Sequence, residues 1–253
     1  MTLPETPFLS RTEYVLTADG ALGCSDAPRL YAWLLDRLSP AEAEWIHEGG
    51  GQALAQHVRT ERGTGRTIWT LNLLSEEANR AVLPALEEEM TVGLHPETLK
   101  ASLLRQDSFA SPSEFIQTAR QRPVERLTEL AVLSPLAFHQ AGRYVIYPEE
   151  GLLLQSLVSK WNAAFPDWPL EDEDALRMLE SGLLIRDYRL HTVRFALKGN
   201  KIPGCLGKLY LLSRMPAPLF EIWNLLVWYG CFCGAGIKTT LGMGALDCAA
   251  IRE

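Results

Sequence analysis

Hydrophobic spacing divides residues 126–253 into strands and helices. Apolar runs typical of strands occur at 130–138, 143–147, 183–198, 205–212 and 245–251. Helices are predicted at 151–165, 171–180 and about 217–229. A turn containing Gly199 and Asn200 joins the two long strands. When the acidic helix at 171–180 is set aside as an insertion, the order is strand, helix, strand, strand, helix, strand, as in a ferredoxin-like domain.

Residues 1–125 repeat this order more loosely. Strands are predicted at 13–19, 66–74 and 99–109, and helices at 28–38, from residue 39 onward and at 75–89. Ser39-Pro40-Ala41-Glu42 is a capping box with proline at the first helical position. We therefore predict an α+β fold of two tandem ferredoxin-like (RRM-like) domains, 1–125 and 126–253, with a glycine-rich loop near the C-terminal end.

The composition is that of a folded protein in a reducing compartment. Of the 253 residues, 47% are hydrophobic, which is enough for two cores. The five cysteines form no CxxC pair, so neither a disulfide framework nor a zinc site is expected, and Cys231 and Cys233 are predicted to be buried apolar residues. The N-terminal stretch lacks a signal pattern, and the uncharged segment 222–237 is too short to cross a bilayer. A cytoplasmic protein with a buried helix in that segment is expected.

Basic side chains are concentrated in one segment of an acidic protein. The net charge of −7 argues, by itself, against a nucleic-acid partner, because phosphate binding depends on Lys and Arg. The excess of acidic over basic residues lies in residues 1–125, however. Segment 186–214 carries a single acidic residue, Asp187. Its basic residues are Arg186, Arg189, Arg194, Lys198, Lys201, Lys208 and Arg214. This basic stripe is either an RNA-binding surface or a solvated strand face.

A glycine-rich segment, GAGIKTTLGMGAL, follows the stripe at 234–246. Glycine permits positive φ and close approach of the backbone, so glycines around one lysine suit an anion site. The alternative is a loop that only joins the last helix to the last strand. A Walker A motif is excluded because Ile237 separates Gly236 from Lys238, and a dinucleotide motif is excluded because Thr239 stands where the third glycine is required. No nucleotide enzyme is indicated.

These segments resemble one known family. The segment GAGIKTTLGMGAL is similar to the loop G-x-G-x-K-x-x-x-G-x-G of the CRISPR-associated endoribonucleases of Cas family six, in the RAMP superfamily, and GCLGKLYL is similar to the strand before that loop. LAVLSPLAF and YPEEGLLLQSLVSKWNAAF resemble the opening strand and following helix of the family's second domain. The resemblance covers nearly the whole chain. It implies cleavage of CRISPR repeat transcripts into guide RNAs for antiviral defence.

The resemblance also implies site residues. His47, in Trp-Ile-His-Glu, matches the family's catalytic histidine, and Tyr31 matches a tyrosine that some members add earlier in the chain. The lysine that follows the histidine in those members is missing here, and the candidate replacements are Arg59, Arg62 and Arg66. The implied RNA-binding residues are Arg186, Arg189, Arg194, Lys198, Lys201, Lys208, Gly234, Gly236, Lys238, Thr239, Thr240, Gly242 and Gly244.

The other histidines show no catalytic partner in the sequence. We expect His57, His95, His139 and His191 to be surface or core residues. His191 lies between Arg189 and Arg194 on a predicted strand and is a further candidate for RNA contact.

The reaction needs little from the protein because RNA carries its own nucleophile, the 2′-hydroxyl group. Histidine suits the proton transfers because its pKa lies near neutrality, and a tyrosine or a cation stabilises the phosphorane. No metal or other cofactor is required, and the products are a 2′,3′-cyclic phosphate and a 5′-hydroxyl group.

Two other hypotheses remain open. The chain is alternatively a catalytically silent family member that holds guide RNA in an effector complex, with other CRISPR subunits as partners. The third hypothesis is an unrelated two-domain protein whose glycine loop is structural. The expected partner under the first two hypotheses is CRISPR repeat RNA, and neither DNA nor a membrane is expected.

Overall fold

The computed structural model describes residues 6–49, 52–61, 63–94 and 97–251. Its N-terminal half contains β1 (Leu9–Thr17), α1 (Ala27–Leu35), α2 (Pro40–Gly49), β2 (Leu54–Thr60), β3 (Thr67–Leu73), α3 (Glu76–Val82), β4 (Glu89–Leu94), β5 (Glu97–Phe109) and α4 (Pro112–Arg120). Its C-terminal half contains β6 (Leu127–Leu136), β7 (Phe138–Gln140), β8 (Arg143–Val145), α5 (Glu150–Ala164), α6 (Glu173–Ser181), β9 (Leu183–Leu197), β10 (Asn200–Ser213), α7 (Ala217–Cys233) and β11 (Leu246–Ile251).

Both halves have the strand order of a ferredoxin-like sheet. The N-terminal sheet has the order β2-β3-β1-β5-β4, in which β4 is an added edge strand, and all its pairs are antiparallel. The C-terminal sheet has the order β11-β6-β10-β9. The first of four core strands therefore lies between the third and the fourth in each sheet. The predicted tandem ferredoxin-like fold is confirmed.

Local sequence signals account for several element boundaries. The Ser39 amide donates to Glu42 Oε2 at 3.0 Å, as a capping box requires at the start of α2. The predicted helix at 75–89 is shorter, because α3 ends at Val82 and a 3-10 turn containing Pro84 follows. Residues 89–94 then form β4, whose alternating buried positions have the period of a strand.

The turn between the two long strands is one residue earlier than predicted. Leu197 pairs with Asn200, which leaves Lys198 and Gly199 as a two-residue loop with φ of 47° and 80°. Two positive φ values are typical of a type I′ hairpin turn. Since β10 pairs with β6 only over residues 205–212, the end of the hairpin beyond Cys205 is a two-stranded ribbon.

Two large hydrophobic cores lie on the helical faces of the two sheets. The N-terminal core is built around Tyr14 and Trp69, whose rings stack at 5.6 Å. The C-terminal core, beneath α5 and α7, also takes Phe109 and Phe115 from the N-terminal half. The predicted domain boundary at 125/126 falls in the link between α4 and β6, and α4 itself packs on the C-terminal core.

The apolar segment 222–237 lies mostly in α7. This helix is buried mainly in its C-terminal half and runs into the glycine-rich loop, as the sequence indicates. Within the described ranges, no helix combines the length and the hydrophobicity that a membrane crossing requires.

Candidate functional site

The glycine-rich loop, residues 234–244, lies between the two halves of the molecule. Gly236 has φ of 70°, and a Cβ atom there would collide with the carbonyl oxygen of Ala137. Gly242 has φ of 100°, and a Cβ atom there would collide with the Cβ atom of Ala27 at the start of α1. These glycines are therefore required by contacts within the protein.

Helix α5 holds the loop from the C-terminal half. The Gly236 amide donates to Ser156 Oγ at 2.8 Å. One turn later, the Lys160 ammonium donates to the Cys233 carbonyl at 3.1 Å and to Thr239 Oγ1 at 3.0 Å. Burial lowers the pKa of Lys160. This pair was not predicted, although a serine and a lysine four residues apart on an apolar helix are visible in the sequence.

Strand β2 holds the loop from the N-terminal half. Gln56 Nε2 donates to the Thr240 carbonyl at 3.0 Å and to the Ala27 carbonyl at 2.6 Å. Gln56 Oε1 accepts a hydrogen bond of 2.7 Å from the Trp69 indole. The side chain is thus fully engaged between β3, α1 and the loop, and it fixes the loop relative to the N-terminal sheet.

Two cations lie at the carbonyl end of α7. The Arg11 guanidinium on β1 donates to the Cys231 carbonyl and lies 4.1 Å from the centre of the Phe232 ring. Arg11 Nε also donates to Asn72 Oδ1 at 2.8 Å. Lys160 donates to the Cys233 carbonyl, as described above. Positive charges at the C-terminal end of a helix are stabilising, so these contacts fix the position at which the loop begins.

Few loop side chains remain open to a ligand. Lys238 is exposed and has a left-handed backbone, with φ of 57°. Thr239 and Thr240 are 2% and 9% exposed, and the Thr239 hydroxyl group accepts from Lys160. A contact between these threonines and RNA would therefore involve their backbone, whereas Lys238 presents its ammonium group to solvent.

The basic stripe lies on the β9–β10 hairpin. Arg189 and Lys208 are cross-strand partners, and Lys208 also forms an ion pair of 2.6 Å with Glu129. The two-stranded ribbon carries Arg194, Lys198 and Lys201, all of them exposed. Arg186 and His191 are exposed nearer the base of β9. The ribbon is anchored by Phe195 and Ile202, which pack with Ala137 and with Met243 of the loop. The stripe and the glycine loop are therefore neighbours.

The two candidate catalytic residues differ in access to solvent. His47 is exposed in the last turn of α2, two residues before Gly49, which faces Ala53 at the start of the β2 segment. Tyr31 is 7% exposed and belongs to the N-terminal core, where burial raises the pKa of its hydroxyl group. Tyr31 thus stays protonated at neutral pH and remains a hydrogen-bond donor.

Two of the candidate cations are engaged with carboxylates. Arg59 lies 3.6 Å from Glu13, and Arg66 lies 2.9 Å from Glu61. Arg62 lies outside the described residues, as does His95. The role of a third catalytic group stays unassigned among these side chains.

His57 lies on β2, in the interface between the N-terminal sheet and the C-terminal half. It is 5% exposed, and its Nε2 atom has no hydrogen-bond partner within the described part of the chain. Burial, together with Arg11 and Arg59, lowers the pKa of His57 to about 3. It is a neutral interface residue, as the prediction of a surface or core role allows. His139 is an exposed residue of β7.

Comparison with known proteins relates this arrangement to one family. Residues 130–246 match the family model described as CRISPR-associated endoribonuclease Cas6. This range begins in β6, ends at the first residue of β11, and includes the basic hairpin and the glycine loop. The predicted resemblance to the Cas6 family is confirmed.

Curated Cas6 proteins are similar along nearly the whole chain. The CRISPR-associated endoribonuclease Cas6 of Mycobacterium tuberculosis is 26% identical over 250 residues, which is 95% of this chain and 78% of that protein. The Cas6 endoribonuclease of Streptococcus thermophilus is 26% identical over 222 residues, 87% of this chain and 90% of that protein.

Solved Cas6 structures share the fold. Thermus thermophilus Cas6 (TTHB231) has a TM-score of 0.71 at 21% identity, covering 96% of this chain and 99% of that one. A structure titled Cas6 (TTHA0078) substrate mimic complex has a TM-score of 0.72 at 19% identity, covering 96% and 100%.

Proposed function

We propose that this chain is an endoribonuclease that cuts CRISPR repeat transcripts into guide RNAs. The observation that carries the proposal is the similarity along 95% of the chain to a relative named CRISPR-associated endoribonuclease Cas6. The fold supports it, because solved Cas6 structures titled product complex and substrate mimic complex superpose on nearly the whole chain. A more distant neighbour is titled as a RAMP protein that binds different RNA substrates.

RNA binding is assigned to the basic hairpin and the glycine loop. The exposed cations Arg194, Lys198 and Lys201 lie on a ribbon that pairs with no third strand in the described part of the chain, so an RNA backbone has access to them. Lys238 extends this positive surface from the neighbouring loop. The glycines of the loop contribute indirectly, because contacts within the protein require them at Gly236 and Gly242.

His47 is the proposed proton-transfer residue. A general acid or base must reach the substrate, and His47 is exposed whereas His57 is buried. The 2′-hydroxyl group of the nucleotide before the cut attacks the adjacent phosphorus, and the 5′-oxygen leaves. His47 moves a proton in this step. The Tyr31 hydroxyl group, which the family resemblance implies as a second catalytic group, is proposed to donate a hydrogen bond to the phosphorane, and this role requires that the 7% of Tyr31 that is exposed include the hydroxyl group. The products are a 2′,3′-cyclic phosphate and a 5′-hydroxyl end.

The proposal includes metal independence, and the source of the nucleophile supports it. An attacking hydroxyl group that belongs to the RNA needs no metal-bound water. Cleavage of the cognate repeat is therefore expected to persist in excess EDTA, and a single 2′-deoxy nucleotide before the scissile phosphate is expected to abolish it. The measurement is gel analysis of end-labelled repeat RNA, with the full ribose strand as control.

Three outcomes separate the hypotheses. Cleavage that requires magnesium would exclude the proposed mechanism, but the proposal that the chain is an endoribonuclease would stand. Tight binding without cleavage of the repeat from the chain's own genomic array would favour the silent RNA-binding alternative. Absence of both binding and cleavage would leave only a structural role for the loop.

A further inference from the structure

Two cysteines that are distant in sequence meet beside the glycine loop. Cys231 lies in the last turn of α7 and Cys248 in the middle of β11. The Cys231 thiol donates to Cys248 Sγ, with 3.3 Å between the sulfur atoms. A disulfide bond is about 2.05 Å long, so the sulfur atoms need to approach by only about 1.3 Å.

The surroundings of Cys248 favour its thiolate form. Arg122 Nη1 lies 3.6 Å from Cys248 Sγ, and the same guanidinium stacks 3.6 Å from the centre of the Trp228 ring, which holds it in place. The hydrogen bond from Cys231 and, to a smaller extent, the interaction with Arg122 lower the pKa of Cys248. The same thiol contact, together with burial, raises the pKa of Cys231.

The two thiols also differ in access. Cys231 is 5% exposed, whereas Cys248 is partly exposed. Cys248 lines a small cavity of about 30 Å³ together with Arg122 and Asn224. This volume is enough for a molecule of about the size of water, and hydrogen peroxide is only slightly larger. A small oxidant therefore reaches Cys248 before Cys231.

We propose that Cys231 and Cys248 are a redox-active pair that closes into a reversible disulfide, with hydrogen peroxide as the oxidant. The Cys248 thiolate attacks one peroxide oxygen, the O–O bond breaks, and Cys248 becomes a sulfenic acid as hydroxide leaves and takes a proton to form water. The Cys231 sulfur then attacks Cys248 Sγ, and the sulfenic oxygen leaves as a second water with the Cys231 proton. Two thiols are oxidised by two electrons and one peroxide is reduced to two waters.

The disulfide would enclose the glycine loop in a covalent ring. Residues 234–244 lie entirely between Cys231 and Cys248, so the bond ties the end of α7 to β11 across the loop. A ring of this size restricts the unfolded chain, and the oxidised protein is expected to melt roughly 5–10 °C above the reduced protein. In a reducing compartment such a bond is transient.

Trypsin provides a direct test, because Lys238 lies within the ring. Cleavage after Arg214, Lys238 and Arg252 places Cys231 on peptide 215–238 and Cys248 on peptide 239–252. Full-length native protein is treated with hydrogen peroxide, blocked with N-ethylmaleimide, unfolded and digested. The expected product is the two peptides joined, with a mass two hydrogens below their sum, and dithiothreitol separates them.

Matched cysteine variants assign the bond. Cys233→Ser is the control, because Cys233 lies on the same peptide and should leave the link intact. Cys231→Ser is expected to abolish the link and to leave Cys248 as a sulfenic acid that dimedone traps. Cys248→Ser is expected to abolish both products, and it keeps the test valid if the buried Cys231 variant fails to fold.

Two results would overturn the proposal. One is oxidation of Cys248 to sulfinic acid in the native protein without any linked peptide, since the resolving thiol would then be out of reach. The other is a link that persists in Cys231→Ser, which would identify Cys233 as the partner. Neither readout depends on RNA cleavage, so the redox pair and the proposed nuclease activity are tested separately.

Discussion

Two histidines ten residues apart have opposite surroundings, and these surroundings decide what each can do. His47 is exposed at the end of α2, where a substrate can reach its imidazole group. His57 is 5% exposed within the interface, so it cannot exchange protons with a bound RNA. Solvent access therefore excludes His57 from this role. Because His139 and His191 are exposed as well, it is the family resemblance that distinguishes His47 as the catalytic candidate.

Replacement of His47 by alanine is expected to slow cleavage of the repeat by about 10²–10⁴-fold, the effect of losing a general acid or base. Repeat affinity should change little, because the imidazole group acts on protons and not on the RNA backbone. The measurements are single-turnover cleavage and equilibrium binding. His139→Ala is the matched control, since His139 is also exposed. Native cleavage by the His47 variant would place the site elsewhere.

Tyr31→Phe tests the second catalytic candidate without disturbing the core. The ring packs among buried residues, and phenylalanine retains it while removing the hydroxyl group. A loss of cleavage with unchanged melting temperature is expected if the hydroxyl group supports the phosphorane. Unchanged cleavage would assign Tyr31 to packing alone.

At the scale of elements, the glycine loop joins α7 to β11 and is held by α5 and β2. The glycines and the lysine of the loop have separate roles. Gly236 has no room for a side chain because of the Ala137 carbonyl, whereas Lys238 extends into solvent. Substitutions at these two positions should consequently affect different properties of the protein.

Lys238→Ala is expected to weaken binding to all RNA sequences similarly and to reduce the slope of log affinity against log salt by roughly 0.7–0.9, the loss of one phosphate contact. Its melting temperature should remain native. Gly236→Ala is expected to destabilise the fold by about 1–3 kcal/mol, because it adds a clash at positive φ. Salt titrations in a His47→Ala background and thermal unfolding measure the two effects. An unchanged salt slope for Lys238→Ala would mean that the lysine faces away from RNA.

Most elements with strong local signals were predicted, and those defined by tertiary contacts were not. The apolar runs and the capping box at Ser39 located most strands and helices. Helix α4 was missed, although Ser111 caps it and Pro112 stands at its first position, as at the start of α2. Strand β2 was missed because Gln56 and His57 are buried by the other half of the chain, which removes the alternation of polar and apolar residues.

The same limit applies to the site. The family resemblance and the local charge pattern were enough to predict His47, Lys238 and the basic hairpin. The contacts that hold the glycine loop, such as Arg11 with the Cys231 carbonyl and Gln56 with the Thr240 carbonyl, join residues more than 180 positions apart. The pairing of Cys231 with Cys248 likewise depends on α7 packing against β11, which no spacing rule for cysteines contains.

At the scale of the whole molecule, the two sheets meet through polar groups as well as apolar ones. Arg11 on β1 reaches the end of α7, and Gln56 and His57 on β2 lie against the glycine loop or beside it. Glu13, Arg59 and Arg105 form ion pairs on the same face of the N-terminal sheet. Unfolding exposes these groups to water, so the free energy of unfolding should depend on their protonation.

His57 contributes one part of this dependence, and the sign of that part follows from its pKa. Its pKa is about 3 in the folded protein and about 6.5 in an unfolded chain, so between these values the unfolded state binds a proton that the folded state does not. The contribution of His57 to stability is therefore complete above pH 6.5 and is lost progressively as the pH falls toward 3. Between pH 7 and pH 5 the expected loss is about 2 kcal/mol.

His57→Leu removes this titration and leaves the other groups in place. Urea unfolding at pH 7 and at pH 5 is expected to show a decrease in stability that is about 2 kcal/mol smaller for the variant than for the wild type. His191→Gln is the control and should behave like the wild type, since His191 is exposed. The quantity compared is the change in the free energy of unfolding of each protein between pH 7 and pH 5. A variant that is less stable at both pH values therefore still gives a result. Equal decreases for wild type and His57→Leu would mean that His57 takes up its proton in the folded state, and that the interface opens to water around it.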